Sequence, residues 1–228
     1  MSGAGTIVII TGTTGSGKTT TCREFIGSAD DLWLHFGIDT FLGVMTPRQF
    51  VDGGPRCNEG VHMEPDDPAN PQGPSHLALG RLGMPLIQAY HEMLAAASRA
   101  GRNTIADHIT LLDPPLLQDC VARLAGLPVL LVALRPPEKL LLSRIEDRLP
   151  EVIKVLGPEL GKRNNEGTKR ASLSIAGQIF RNGIFDLVLD SGALSPPEVA
   201  SAIRARLARG PGDAFARLAA HFAGRSSL

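Results

Sequence analysis

The chain has 228 residues, 23 basic against 23 acidic side chains, 43% hydrophobic residues and 4% aromatics, which describes one globular domain and excludes a disordered or fibrous chain. A chain of this length buries roughly 70% of its unfolded surface, so it needs no disulfide or metal to hold a core. The zero formal charge disfavours a surface that tracks nucleic acid, no apolar run approaches the ~18 residues of a membrane span, and Cys22, Cys57 and Cys120 are too widely spaced for a disulfide framework or a CxxC metal site. The expectation is a cytoplasmic protein with reduced thiols and no nucleic-acid or membrane partner.

The first apolar run, Thr6 to Thr11, fits a buried parallel strand, and the helical segment Thr20 to Ile26 follows it closely. Between them, Gly12-Thr13-Thr14-Gly15-Ser16-Gly17-Lys18-Thr19 matches G-x-x-x-x-G-K-[ST] in its proper strand-to-helix setting. Glycines let the backbone turn its N–H groups inward onto phosphate oxygens, and the following helix adds its positive end. The cradle is therefore assigned to Gly12, Thr13, Thr14, Gly15, Ser16, Gly17, Lys18, Thr19 and Thr20. Lys18 would reach the terminal phosphates and the Thr19 hydroxyl would bind Mg²⁺.

A shorter strand, Leu32 to Phe36, stops at Gly37 and places Asp39 just beyond its carboxyl end, where ligands of open α/β sheets bind. Spacing leaves two readings of Asp39 open: a base that accepts the proton of an acceptor hydroxyl, or the cap of a helix through Phe41 and Val44. Residues 53–85 contain six glycines and six prolines and are expected to form a long irregular loop. Leu82, Leu86, Tyr90, Leu94 and Ala97 then recur at helical spacing, with Gly101 as the stop. The strand Asn103 to Asp107 ends in an acid that could hold Mg²⁺ through water or cap the next turn. His108 and the other five histidines form no ligand set by spacing. Asp113, followed by Pro114 and Pro115, reads as an N-cap, and Arg135-Pro136-Pro137-Glu138 opens a helix after the strand Val129 to Leu134.

Positive charge is concentrated in Arg135 to Arg181, which holds ten basic and six acidic residues. Arg144 and Arg148, four apart, and Arg170 fit a lid that brings guanidinium groups over a transferring phosphoryl. The alternative is helix-surface pairing with Glu146, Asp147 and Glu151, and Gly157, Gly161 and Asn164-Asn165 read as sources of mobility. Phe185 to Leu189 supplies a last strand, Ser195-Pro-Pro-Glu198 has capping-box spacing, and Ala200 to Leu207 and Ala214 to Phe222 read as C-terminal helices with solvated arginines. The alternation of strands and helices is α/β. The expected organisation is a single domain over 1–228, with a helical lid near 136–182, an acceptor-covering loop near 46–80 and C-terminal helices within 195–223.

A phosphate cradle does not name a reaction. The Asn-Lys-x-Asp sequence of signalling GTPases is missing, and Thr104-Ile-Ala-Asp107 is a weak version of the acidic strand of mechanical ATPases, which leaves a small-molecule kinase. The chain resembles the chloramphenicol phosphotransferase family of P-loop kinases. The resemblance rests on Gly12 to Thr19, on Trp33-Leu-His-Phe36-Gly37-Ile-Asp39-Thr40 with Met45-Thr-Pro, on the Asp107 strand end, on Arg135, Arg144 and Arg148, on Gly167-Thr-Lys-Arg170 with Gln178, and on Phe185-Asp-Leu-Val-Leu-Asp190. It implies a five-stranded nucleotide-kinase-like parallel sheet flanked by helices, ATP and Mg²⁺, a general base at Asp39, and phosphorylation of a hydroxyl on a small molecule, antibiotic inactivation being one such activity. The departures are Asp107-His108 where the family strand often ends in two acids, an apparent insertion of about twenty residues between Arg148 and Arg170, and the unmatched 53–85 segment. A zeta-toxin-like sugar-nucleotide kinase and a non-catalytic nucleotide-gated binding protein stand as alternatives. The sequence gives neither the acceptor nor the oligomeric state.

Overall fold

A computed structural model describes residues 3–70 and 73–225. Five parallel strands build the main sheet: β1 (Ile7–Thr11), β2 (Trp33–Gly37), β5 (Asn103–His108), β6 (Val129–Leu134) and β7 (Leu187–Leu189), in the order β2-β5-β1-β6-β7. β1 lies at the centre, paired with β5 on one side and β6 on the other. The chain thus reverses its direction of winding at β1, and the crevice beyond the carboxyl end of that strand is where a ligand fits.

Each central strand is apolar on both sides because each side faces a helical layer. Ile7 and Ile9 point into a core shared with α3 (Gly83–Arg99), α4 (Leu116–Arg123) and α9 (Ala214–Arg225). Val8 and Ile10 point into a second core shared with α1 (Lys18–Gly27) and α8 (Pro196–Leu207). Ser195 and Glu198 form the expected capping box at the start of α8. The arginines of α8 are not merely solvated: Arg204 donates to Phe25 O at 3.0 Å with its guanidinium 4.8 Å from the Phe25 ring centroid, and so clamps α8 onto α1.

Several further expectations are corrected. Residues 53–85 are not an irregular loop: β3 (Val61–Pro65) and β4 (Ser75–Leu79) pair as an antiparallel hairpin, and α3 begins at Gly83. Proline is tolerated because it falls at the strand's last residue, in the connection or in the first turn of α3, away from the ladder interior. Met63 and Leu77 anchor the hairpin against Ile175 and Ile179. Asp113 does not cap α4, which starts at Leu116. Pro115 has no N–H to offer it, and the Leu116 N–H is spent on Pro114 O at 2.7 Å. Finally, Arg144 and Arg148 do not share a helix. α5 (Glu138–Glu146) ends between them, Arg148 starts α6 (Leu149–Leu156), and α7 (Pro158–Phe180) follows as the long lid helix. Gly161 and Asn165, expected to loosen this segment, are buried: a Cβ on Gly161 would lie 2.8 Å from Ile153 Cγ1, and Asn165 Nδ2 donates to Glu146 Oε2 at 2.7 Å.

A buried polar chain closes the α3/α4 side. Ile109 N–H donates to His108 Nδ1 at 2.7 Å, so a neutral His108 carries its proton on Nε2, which faces His91 Nε2 at 2.7 Å. His91 Nδ1–H then donates to Asp119 Oδ2 at 2.7 Å. His91, His108 and Cys120 place ligand-type atoms within 4.8 Å of one another. The tautomer occupies the His108 Nε2 lone pair with a proton, and burial pushes the Cys120 thiol up, so the group is a hydrogen-bonded chain and not a metal site.

Burial, helped by His91 and Lys18, holds the His108 imidazole well below its ordinary value of 6.5. The unfolded chain takes up a proton there as pH falls below 6.5 while the folded chain does not, so the stability is intact above that value and declines on acidification. Urea unfolding between pH 8 and 5 is expected to show this decline, and His108→Gln, which keeps a donor and an acceptor without titrating, is expected to flatten it.

Candidate active site

β1 delivers the chain into the phosphate loop, and two glycines permit its shape. Gly17 caps α1 at φ 93°, a left-handed conformation that favours glycine. Gly15, at φ 84°, lies so close to α5 that a Cβ would stand 3.1 Å from Leu141 O. Lys18 is buried at the first position of α1, and its Nζ donates to Thr13 O at 3.0 Å. Burial lowers its pKa, while Asp39 and Asp107 act in the opposite direction.

Asp107 reaches the loop through strand alternation. Ile105, two residues earlier on β5, packs on the α1 side, so Asp107 points there too, whereas Ala106 and His108 face α3 and α4. Thr19 Oγ1 donates to Asp107 Oδ2 at 3.2 Å, and His35 Nε2 lies 3.1 Å from the same oxygen. Asp107 Oδ1 is buried and has no protein partner. An unpaired buried carboxylate oxygen beside a hydroxyl is the kind of oxygen donor set a hard divalent cation takes, so these residues fit Mg²⁺.

Asp39 follows β2 in the short helix α2 (Ile38–Thr40), which runs directly into a π-helical turn, Phe41–Met45. Gly37 occupies the capping position, and Asp39 makes no capping hydrogen bond. Asp39 is exposed to solvent by surface area, yet protein atoms of the cleft crowd it enough that burial is the leading cause of a pKa above the usual carboxylate value. Lys18 and Arg148 work against that rise, and Asp107 adds to it. The structure therefore brings Lys18, Asp39, Asp107 and Arg148 into one electrostatic neighbourhood at the carboxyl ends of β1, β2 and β5.

The three lid arginines divide. Arg144 leans on the phosphate loop: Nη2 donates to Ser191 O at 2.7 Å and Nη1 to Gly15 O at 3.3 Å. Arg148 is exposed, lines the cleft beside Gly17 and acts electrostatically on Asp39 and Lys18. Arg170 is half-buried on α7, with its Nε buried and unpartnered. Helix-surface pairing of Arg144 and Arg148 is not realised, since Glu146 bonds Asn165 and Lys169, and Glu151 bonds Lys154. Arg144, Arg148, Gly17, Thr20, Ser191 and Leu194 line a cavity of about 370 Å³ beside the loop.

Sequence reasoning missed three contributors. Ser191 donates to Ser16 O at 2.7 Å, His35 braces Asp107, and Ser172 of α7 bonds Thr13 and Thr14. Only His35 carried a signal, since period two puts it on the same side of the sheet as Trp33, which packs on the α1 core.

The sequence matches the family described as chloramphenicol phosphotransferase-like protein over residues 5–208. No curated protein matches the chain. Among solved structures, the Mycobacterium tuberculosis APS kinase CysC is similar at a TM-score of 0.54 and 14% identity, covering 90% of this chain and 98% of that one. Shikimate kinase from Acinetobacter baumannii is similar at 0.50 and 14% identity, with coverages of 89% and 92%. A chain of the Pnkp1/Rnl/Hen1 RNA repair complex is similar at 0.47 and 17% identity; 78% of this chain is covered and it spans 46% of that one. The fold is that of P-loop kinases. No helix among the described residues is long and apolar enough to cross a membrane.

Arg144 joins the phosphate loop to the segment after β7 through backbone carbonyls, and hydrogen bonds from a charged donor contribute about 1.5–3 kcal/mol. Arg144→Lys keeps the charge but cannot span two acceptors with a planar fork. The expected result is a loss of about 1–3 kcal/mol in urea unfolding together with weaker nucleotide binding; unchanged stability would show that the fork is not made in solution.

Proposed function

The chain belongs to the chloramphenicol phosphotransferase-like family, nucleotide-dependent kinases of the P-loop fold, and we propose that it is an ATP- and Mg²⁺-dependent O-phosphotransferase acting on a hydroxyl of a small molecule. The observation that carries this reading is the position of Asp39. It is open to the cleft and set among Lys18, Asp107 and Arg148, where an acceptor oxygen and a phosphate end can meet.

In this reading the main-chain amides of Gly12 to Gly17 and the Lys18 ammonium hold the phosphates, and Lys18 exchanges Thr13 O for a phosphate oxygen. Thr19 and Asp107 would hold Mg²⁺, with His35 orienting the Asp107 carboxylate. Bound there, the metal would neutralise charge that develops on the phosphate oxygens. Asp39 accepts the acceptor's hydroxyl proton as that oxygen bonds to the γ-phosphorus and the bond from phosphorus to the bridging oxygen breaks, releasing ADP. The raised pKa of Asp39 suits the task, because a base nearer the working pH holds the proton more firmly. Arg148 and Arg170 lie on the lid side to meet the charge of the transferring group, and the hairpin β3/β4 with the 46–60 segment covers the acceptor. Acceptors of the antibiotic-alcohol class fit the family.

Mass spectrometry of reactions containing ATP and pooled hydroxylated antibiotics, sugars and nucleotide sugars is expected to reveal one phosphorylated product. A sugar nucleotide as that product would transfer the activity to the other kinase class, and ATP binding without any product would leave a binding protein. Asp39→Asn is expected to lower transfer by about 10²–10⁴-fold with MgATP affinity held within about threefold. The acid limb of the wild-type rate profile is expected above 3.8, rate falling as pH drops through the raised Asp39 value, and absent in that variant.

A further inference from the structure

Cys22, His35 and Asp107 bring one ligand-type atom each into the same small space, the three lying within 4.8 Å of one another. They come from three elements: α1, the outer strand β2 and the end of β5. Cys22 is 0% and Asp107 1% exposed, and the His35 side chain, 23% exposed, is where the group meets solvent. Thiolate, imidazole and carboxylate together suit a tetrahedral transition-metal ion, whereas Mg²⁺ takes oxygen. Bonds of about 2.0–2.3 Å set ligand atoms roughly 3.3–3.6 Å apart around such an ion. His35 Nε2 and Asp107 Oδ2 already stand 3.1 Å apart. The Cys22 sulfur, within 4.8 Å of both, has at most about 1 Å to close.

Proton placement separates this trio from His91, His108 and Cys120. There the Ile109 N–H occupies His108 Nδ1 and pins the imidazole proton on the nitrogen that faces the group. His35 Nδ1 makes no hydrogen bond among the described residues, so the proton is free to move to Nδ1 and leave Nε2 as a lone pair. Asp107 also has an oxygen, Oδ1, that is buried and meets no protein donor. Burial, with the Asp107 charge adding to it, pushes the Cys22 thiol up, so without an ion the sulfur keeps its proton. An ion that bonds sulfur displaces that proton to solvent, and its own charge turns the repulsion between thiolate and carboxylate into a shared attraction.

We propose that Cys22, His35 and Asp107 form a site for a thiophilic divalent ion of the Zn²⁺ type, and that an ion bound there opposes the binding of MgATP. The ion takes Asp107 Oδ2, the oxygen to which Thr19 Oγ1 donates at 3.2 Å, and with it the histidine that braces the carboxylate. A water completes the tetrahedron. The opposition, though not the binding, rests on the phosphotransfer reading above.

Titration of the reduced, full-length protein with Co²⁺ as a spectroscopic stand-in for Zn²⁺ tests the site, because thiolate-bound cobalt absorbs in the near ultraviolet and tetrahedral cobalt in the visible. One equivalent giving both absorptions, and displaced by Zn²⁺, is expected. Cys22→Ser is expected to abolish the thiolate absorption and His35→Gln to weaken binding by about tenfold or more. Cys57→Ala and Cys120→Ala are expected to keep the absorption. A wild-type protein without it, its survival in Cys22→Ser, or its loss in Cys57→Ala or Cys120→Ala overturns the site. If Cys22→Ser does not fold, His35→Gln and the other two cysteine variants decide, and unchanged affinity in His35→Gln overturns the site. MgADP, with Mg²⁺ in large excess so that the nucleotide holds no cobalt, is expected to weaken Co²⁺ binding by about tenfold. Cobalt on Cys22 with no such weakening overturns the opposition alone, whereas ADP binding that is indifferent to Mg²⁺ in the metal-free wild-type protein overturns the Mg²⁺ assignment of the phosphotransfer reading itself.

Discussion

The period of two along β5 separates two kinds of chemistry by a single residue. Asp107 turns toward α1 and meets Thr19, while His108 turns toward α3 and joins His91 and Asp119 in a chain sealed from solvent. Both orientations depend on the parallel pairing of β5 with β1, in which Ile10 stands opposite Asp107 and Thr11 opposite His108. A slip of one residue would put a charged carboxylate into an apolar core and the His108 imidazole, parted from His91, at the phosphate loop, and the cost of burying an unpaired charge forbids it. Tyr90 holds the same position from behind, its hydroxyl within 2.9 Å of Phe36 O and 3.0 Å of Asp107 O, so β2 and β5 end together. The departure from a two-acid strand end thus has a structural reason: in this chain the second position belongs to the core.

The cleft balances its own charge. Lys18, Arg148, Asp39 and Asp107 are two cations and two carboxylates, and Lys18 and Asp39 each feel the other three. Burial alone would drive Lys18 toward neutrality and Asp39 toward protonation, and each opposes the other's discharge. In the proposed reaction, phosphates would bring an excess of negative charge to this neutral set, and loop amides, the amino end of α1 and a cation on the Thr19 and Asp107 oxygens would compensate it.

What the sequence disclosed follows from whether a signal is local. The central strands β1, β5 and β6 were legible as apolar runs because both of their faces are buried, the half-buried edge strands β2 and β7 as shorter runs, and the phosphate loop because its glycine spacing is itself the conformation. The amphipathic α3 and the capping box of α8 likewise lie within a few consecutive residues. The hairpin β3/β4 was not legible. Its strands are half-buried and bordered by Pro65 and Pro74, and their apolar side chains are explained by α7, about 100 residues away in the chain, and by the core under the sheet, on which Leu77 and Leu79 pack. Ser172 and Ser191 escaped for the same reason, since a serine within a polar stretch gives no sign that it will meet the loop more than 150 residues earlier. Asp39 lay between: spacing allowed a cap as readily as a base, and what removes the cap is that Gly37 already takes that position.

The basic surplus of the lid segment resolves once its partners are known. Lys154 is taken up by Glu151, and Lys169 by Glu146 and Glu166. Arg135 stacks 4.8 Å from the centroid of Phe180, and Arg144 is bound to carbonyls at the edge of the loop. Lys139, Lys162 and Arg163 are exposed, where water screens them, and Arg181 is exposed at the edge of a cavity it lines with Asp66 and His76 of the hairpin region. Arg148 and Arg170 differ from both groups. Arg148 is exposed yet forms no salt bridge among the described residues and acts electrostatically on Lys18 and Asp39, and Arg170 has a buried guanidinium nitrogen with no protein acceptor. A buried donor without an acceptor costs stability. Charge density along the sequence marked the segment as a whole, whereas pairing and burial separate its cations one by one, which no count of charges along the chain could do.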